Sequence, residues 1–280
     1  MLFDTHSHVK PWSHDSSQTI EQLLDDTAKK GLAGICLTDH YEKDMFYERG
    51  YEDIFDPDDY FAALSPLRLD PKTAAAQGKP AFLIGAELGW LPHLCNHLLW
   101  LTASYPFDSI IMSMHVFDGK DPYVDEHFFD EGIEKVYPKS IAAMLEMITS
   151  VSDYDILGHF DYVSRYYKQG NAKMLYKHAP DEFDSLFRKL SEDGKCLEIN
   201  TKTTVRMRSM GYSYAESFPD QAFIRRFLEL GGEHISIGSD SHHYGDSALI
   251  FDEMKDWLIA AGVNKLTYFV DREPVEYKIY

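Results

Sequence analysis

The 280-residue chain is 44% hydrophobic, enough to bury a large core, and sets 46 Asp and Glu against 27 Lys and Arg for a formal net charge of −19. That charge disfavours nucleic acid and anionic membrane surfaces as partners, although bound divalent cations would reverse its sign locally. Three cysteines, with Cys36 and Cys196 inside apolar runs, imply no disulfide framework, and neither a leader pattern nor a stretch of about 18 apolar residues occurs, which predicts a soluble, cytoplasmic protein.

In chain order, short β-rich runs alternate with segments of helical period. Leu2-Phe3 comes first, followed closely by His6, His8 and His14. Thr19 and Gln22 form a candidate capping box for a helix carrying Ile20, Leu23, Leu24, Thr27 and Ala28. The other strand-like runs are Gly34 to Leu37, Ala81 to Ile84, Ser109 to Met112, Asp155 to Leu157, Cys196 to Ile199 and Ile235 to Ile237, seven in all. Helical spacing recurs around Ile141 to Ile148, Phe183 to Leu190 and Phe223 to Leu228, with Pro138, Pro180 and Pro219 expected just ahead of these helices. Such alternation predicts a parallel α/β sheet, open or closed into a barrel. Two acidic, aromatic segments, about 41–78 and 116–138, fall outside it and read as insertions, either solvated additions or binding loops, within a single domain spanning 1–280.

Metal-type residues follow the strand runs closely: His6 and His8 the first, His40 the second, Glu87 the third, His115 the fourth, His159 the fifth, Asp240 and His242 the seventh. Only the sixth run lacks one. In a parallel β/α architecture the C-terminal strand ends share one face, so these distant positions converge on one mouth. Imidazoles with carboxylates suit Zn²⁺, Mn²⁺ or Fe²⁺, and the lack of thiolates argues against a closed structural zinc site. The eight candidates exceed what one tetrahedral ion can use, which predicts two or three divalent ions.

The ordered set D-T-H-S-H at 4 to 8, S-H-D at 13 to 15, T-D-H at 38 to 40, A-E at 86 to 87, S-M-H at 113 to 115, G-H-F-D at 158 to 161 and G-S-D-S-H at 238 to 242 resembles the polymerase and histidinol phosphatase (PHP) family. Within it, G-H-F-D-Y-V-S-R at 158 to 165 and E-I-N-T at 198 to 201 look most like the monofunctional histidinol-phosphate phosphatases. The resemblance implies a distorted (β/α)7 TIM-like barrel with its metal site at the C-terminal strand ends. It also implies a trinuclear centre: His6, His8, Glu87 and Asp240 on one ion, Glu87, His115 and His159 on a second, and His14, His40 and His242 on a third. Glu87, Asp240 and His242 would be its catalytic members.

Divalent ions neutralise a phosphomonoester dianion and lower the pKa of a bridging water from about 15.7 toward 7, so a hydroxide would attack phosphorus in line without a covalent intermediate. Rival routes fail on the text: no cysteine has Arg six residues on, no Arg-His-Gly or P-loop occurs, and Asp56 to Asp58 lacks the residues a phospho-aspartate motif needs. Arg165 and Arg206 follow strand ends and suit phosphate, with Lys202 and Arg208 competing for the second role. Asp4 and Asp39 stand beside ligands and are expected to hold an imidazole's second N–H, as Asp161 could for His159. A metal-bound water, Asp161 and His243 stay open as the general acid. His93, His97, His127, His178 and His234 match no strand end and read as structural.

The expected substrate is a small phosphorylated molecule, L-histidinol phosphate in histidine biosynthesis, with the segment 41–60, including Glu42, Asp44 and Glu48, covering its amine and imidazole. The alternatives are a PHP phosphoesterase acting on phosphotyrosine, a nucleoside phosphate or another small phosphomonoester, and a non-catalytic metal-binding module. An amidohydrolase shares the opening H-x-H but not T-D-H or Glu87. The sequence leaves open whether the chain forms a homo-oligomer.

Overall fold

Strands joined by helical crossovers can lie parallel, and in the computed structural model, which describes residues 1–45 and 52–280, they do. The strands are β1 (Phe3–Asp4), β2 (Gly34–Leu37), β3 (His40–Tyr41), β4 (Ala81–Gly89), β5 (Ser109–Ser113), β6 (Ile156–Leu157), β7 (Cys196–Asn200) and β8 (Ile235–Gly238). Seven pair in the order β1-β2-β4-β5-β6-β7-β8, all parallel, and the short β3 pairs with β4 beyond the end of β2. The ring closes between the two outer strands. Thr5 N donates to Ile237 O (3.1 Å), Asp240 N to His6 O (2.9 Å) and His8 N to Ser241 O (3.0 Å), and Ser7 bridges Ser241 in parallel. The expected seven-stranded barrel is therefore observed. Every residue of its seven strands is buried, as continuous apolar strands covered on both faces require.

Helices α1 (Ile20–Lys29), α2 (Pro57–Leu64), α3 (Pro71–Gln77), α4 (Cys95–Ser104), α5 (Ile133–Ser150), α6 (Pro180–Glu192), α7 (Thr201–Ser209), α8 (Tyr214–Ser217), α9 (Gln221–Glu229) and α10 (Phe251–Ala260) flank the strands. The capping box at α1 forms as the sequence predicts: Gln22 N donates to Thr19 Oγ1 and Thr19 N to Gln22 Oε1. Pro180 opens α6 and Pro219 precedes the Asp220 cap of α9. Pro138 does not open its helix. It lies inside α5, which starts at Ile133. The missing N–H costs an internal hydrogen bond, but the preceding turn is held by burial of Val136 and Tyr137, and Tyr137 Oη donates to Ala172 O at 2.6 Å. Tyr137→Phe is expected to destabilise the fold by about 1–2 kcal/mol, because it strands that carbonyl in the core; the urea unfolding midpoint measures it.

A strand pair not anticipated from the sequence is the antiparallel hairpin β9 (Lys265–Val270) and β10 (Glu273–Lys278). Its two-residue turn puts both Asp271 and Arg272 at positive φ, 49° and 69°, the backbone that a tight hairpin needs. The hairpin packs where the strands begin. Tyr268 stacks on Phe3 of β1 (4.2 Å between centroids), Asp271 N donates to Asp108 just before β5, and Arg272 Nε donates to Asp155 just before β6. The opposite end of the barrel is thereby left for the polar side chains. Among the described residues, no helix is long and apolar enough to cross a membrane.

Candidate metal centre

The C-terminal strand ends deliver the predicted residues to one place. His6 and His8 are two positions apart on extended chain and face the same way, while Ser7 between them turns outward to Cys36 O (2.8 Å). Glu87, late in β4, is the hub. Its Oε1 lies 2.7 Å from His159 Nε2 and 3.3 Å from His115 Nε2, and its Oε2 lies 3.0 Å from His40 Nδ1, 3.2 Å from His6 Nε2 and 3.4 Å from His8 Nε2. His8 Nε2 is also 3.6 Å from Asp240 Oδ1, and the Nε2 atoms of His40 and His242 are 3.4 Å apart.

Ligand atoms converge within 4.8 Å in several overlapping groups, among them His6, His8 and Glu87; His6, His159 and Asp240; Glu87, His115 and His159; and His8, His40 and His242. Burial would raise the Glu87 carboxyl, but the imidazoles of His6, His115 and His40 hold it well below the ordinary carboxylate range. Burial likewise opposes ionisation of Asp240, and Lys202, His6 and Arg165 overcome it, so its carboxyl is also well lowered. Burial, reinforced by His40 and His242, pushes His8 well down and keeps its ring neutral, as a metal ligand must be. Asp240 stands at φ 53°, a left-handed backbone that turns the chain sharply as it leaves β8.

The groups holding the imidazoles' other nitrogens are not those expected from sequence adjacency. Glu198 Oε1 takes His6 Nδ1 at 2.7 Å, Ser13 Oγ lies 3.2 Å from His8 Nδ1, and Glu42 pairs with His115 Nδ1. Asp4 instead accepts the backbone N–H groups of Ser239 (2.9 Å), Ala248 (3.2 Å) and His6 (3.3 Å), and Asp39 accepts from Val9 N (2.8 Å) and Ser13 Oγ (2.7 Å). Burial raises these carboxyls to about 6 and about 7 respectively. Asp161 accepts from Thr203 Oγ1 (3.0 Å), which in turn receives Arg165 Nε (2.8 Å), so it acts on Arg165 and not on His159.

Glu198 is the main residue the sequence reading misses, and it fills the apparent gap at the sixth strand. Fully buried in β7, it also accepts His159 N at 2.7 Å and Asn200 Nδ2 at 3.2 Å. Gly238 makes room for it: a Cβ there would fall on Glu198 Oε1 and within 2.6 Å of His6 Cβ. Asp15 is a second addition, 3.0 Å from His242 Nε2 and 3.6 Å from His40 Nε2. His14 lines the same cavity as those two imidazoles, with its Nδ1 2.7 Å from Asp53 and 43% of its side chain exposed.

Above these groups opens a cavity of about 370 Å³. Arg165 and Lys202 line it. Arg165 Nη1 donates to Asp240 Oδ2 at 3.0 Å while its Nη2 is buried with no hydrogen-bond partner, and Lys202 Nζ lies 2.9 Å from Asp240 Oδ1 and 3.0 Å from His242 Nδ1. Arg206 is exposed on α7 and is not among the lining residues; neither are Asp161 and His243. Asp44 turns outward to His93 (2.8 Å), and Glu48 lies outside the described residues. The remaining histidines are engaged elsewhere: His97 with Tyr41 Oη, His127 with Asp130, His178 with Leu175 N and His234 with Thr267.

A parallel barrel carrying this ordered set of imidazoles and carboxylates defines a class, and the chain belongs to the PHP domain family, whose profile matches residues 4–202. It is 27% identical over 265 residues to the histidinol-phosphatase of Lactococcus lactis subsp. lactis, covering 94% of this chain and 92% of that one. It is 29% identical over 251 residues to a protein named probable histidinol-phosphatase of Clostridium acetobutylicum, covering 90% of each. The crystal structure of the Lactococcus lactis histidinol phosphate phosphatase (HISK), complexed with Zn, L-histidinol and phosphate, shares the fold with a TM-score of 0.83 at 23% identity, covering 98% of both chains.

Proposed function

We propose that this protein is a cytoplasmic, metal-dependent phosphomonoester hydrolase that converts L-histidinol phosphate to L-histidinol and phosphate in histidine biosynthesis. The observation that carries this reading is the Glu87 carboxylate ringed by imidazoles under a cavity that also presents Arg165 and Lys202. His6 Nε2, His8 Nε2, His40 Nδ1 and Glu87 Oε2 are all buried without hydrogen-bond partners, although each of the three ring nitrogens lies 3.0–3.4 Å from Glu87 Oε2. Buried polar atoms in that state fit divalent cations.

Two or three ions, zinc, manganese or iron, suit the set. His6, His8, Glu87 and Asp240 would hold one, and Glu87, His115 and His159 a second. His40 and His242 would hold a third, with Asp15 within reach and His14 offering its Nε2 from the rim. Such ions supply charge neutralisation at the phosphoryl oxygens and activation of water. The buried Nη2 of Arg165 is a donor for a phosphate oxygen, its fork fixed by Asp240 and Thr203. Lys202 supplies the second cation, the role for which Arg206 is too exposed.

Steady-state kinetics on Zn²⁺-, Mn²⁺- and Fe²⁺-loaded protein tests the proposal. kcat/KM for histidinol phosphate is expected to exceed that for phosphotyrosine or a nucleoside monophosphate by at least about tenfold. Equal or better turnover of either competitor would reassign the substrate, and hydrolysis of none would return the protein to a metal-binding module.

A further inference from the structure

Glu42, Asp53 and Asp121 line the cavity from the two segments inserted between strands. Glu42 and Asp53 are committed to imidazoles: Glu42 pairs with His115 Nδ1, and Asp53 holds both the ring of His14 (2.7 Å) and its backbone N–H (3.1 Å). Asp121 differs. Its Oδ1 accepts the backbone N–H of Tyr123 at 2.7 Å, while its Oδ2 is buried with no hydrogen-bond partner. A carboxylate oxygen withdrawn from water and left unpaired is costly, and in a cavity wall it marks the place of a ligand's donor.

The surroundings favour a cationic donor. Tyr123 and Tyr166 also line the cavity and meet edge to face with centroids 5.6 Å apart, and Tyr162 stands 5.1 Å from Tyr166. Tyrosine rings attract cations and pack against planar heterocycles. The Tyr162 face is taken by the Arg165 guanidinium, 5.4 Å from the ring centroid, so the cavity combines phosphate-type donors, Arg165 and Lys202, with an acid, Asp121, that enters from a different segment together with Tyr123. Building on the phosphatase reading above, we infer that Asp121 binds the cationic nitrogen of the leaving alcohol, with Tyr123 and Tyr166 beside it, and so selects phosphomonoesters whose alcohol is positively charged. Asp121 acts on substrate choice and takes no part in cleaving the P–O bond.

Asp121→Asn is close to isosteric and keeps an oxygen for the Tyr123 N–H. The wild type and this variant are compared on histidinol phosphate, O-phosphoethanolamine and ethyl phosphate, with thermal melts to verify folding. The wild type is expected to prefer the two cationic esters over ethyl phosphate in kcat/KM, and Asp121→Asn to reduce that preference by about 10- to 100-fold, chiefly through KM. A preference unchanged in the variant, including a parallel fall on all three esters, would overturn the assignment, as would a wild type with no preference for cationic esters. If histidinol phosphate proves no better than O-phosphoethanolamine while the variant still loses cation preference, the histidinol phosphate reading fails and Asp121 keeps its role.

Discussion

Glutamine in place of Glu87 is expected to lower kcat by about 10³-fold and to strip metal from the purified protein. The substitution keeps the volume of a fully buried side chain but removes the negative charge on which five imidazoles converge at 2.7–3.4 Å. It also aims an amide N–H at ring nitrogens that have to remain acceptors if they are to ligate a cation. Elemental analysis and kinetics on the same sample measure both effects. A variant with full metal content and kcat within about tenfold of wild type would remove Glu87 from the bridging position.

The second large effect belongs to a residue too far back in the barrel wall to line the cavity. Glu198→Gln is expected to weaken divalent-metal binding by about 10–100-fold, read by competition with a chelator, with a smaller change in the stability of the metal-free fold. The carboxylate accepts from His6 Nδ1, which sets the tautomer that turns the Nε2 lone pair toward Glu87, and it anchors the His159 backbone N–H. An amide can instead donate to Nδ1, which would place the ring proton on Nε2 and block coordination. Unchanged metal affinity with a lowered unfolding midpoint would make Glu198 a purely structural member of β7.

What could be read from the sequence follows from the physics of each element. Buried parallel strands leave continuous apolar runs, so all seven barrel strands are legible, and ligands placed just past their ends inherit that legibility. Glu198 is hidden because it lies inside a run, between Leu197 and Ile199, and not after it. A lone acid within an apolar strand was its signal, since alternation turns it away from both neighbours. The hairpin escaped because its turn residues, Asp271 and Arg272, lack the glycine or asparagine that usually announces positive φ. Asp39 misled for the opposite reason: adjacent residues on an extended chain point to opposite sides, so the neighbour of a ligand is poorly placed to touch it. The acids that do orient imidazoles, Glu42, Asp53 and Glu198, come from 39 or more positions away, a distance in sequence that carries no pattern.

The seam that closes the barrel would give a metal bound there a mechanical role besides a chemical one. Residues 4–8 and 238–242 meet only when β1 reaches β8, and their union joins parts of the chain roughly 230 residues apart, among the largest loops this fold has to close. His6 and His8 lie on one side of that seam and Asp240 and His242 on the other. An ion held across it is a clasp: its binding free energy accrues only to the completed ring. Loading the site would therefore resist opening of the barrel at the one join that no helical crossover spans.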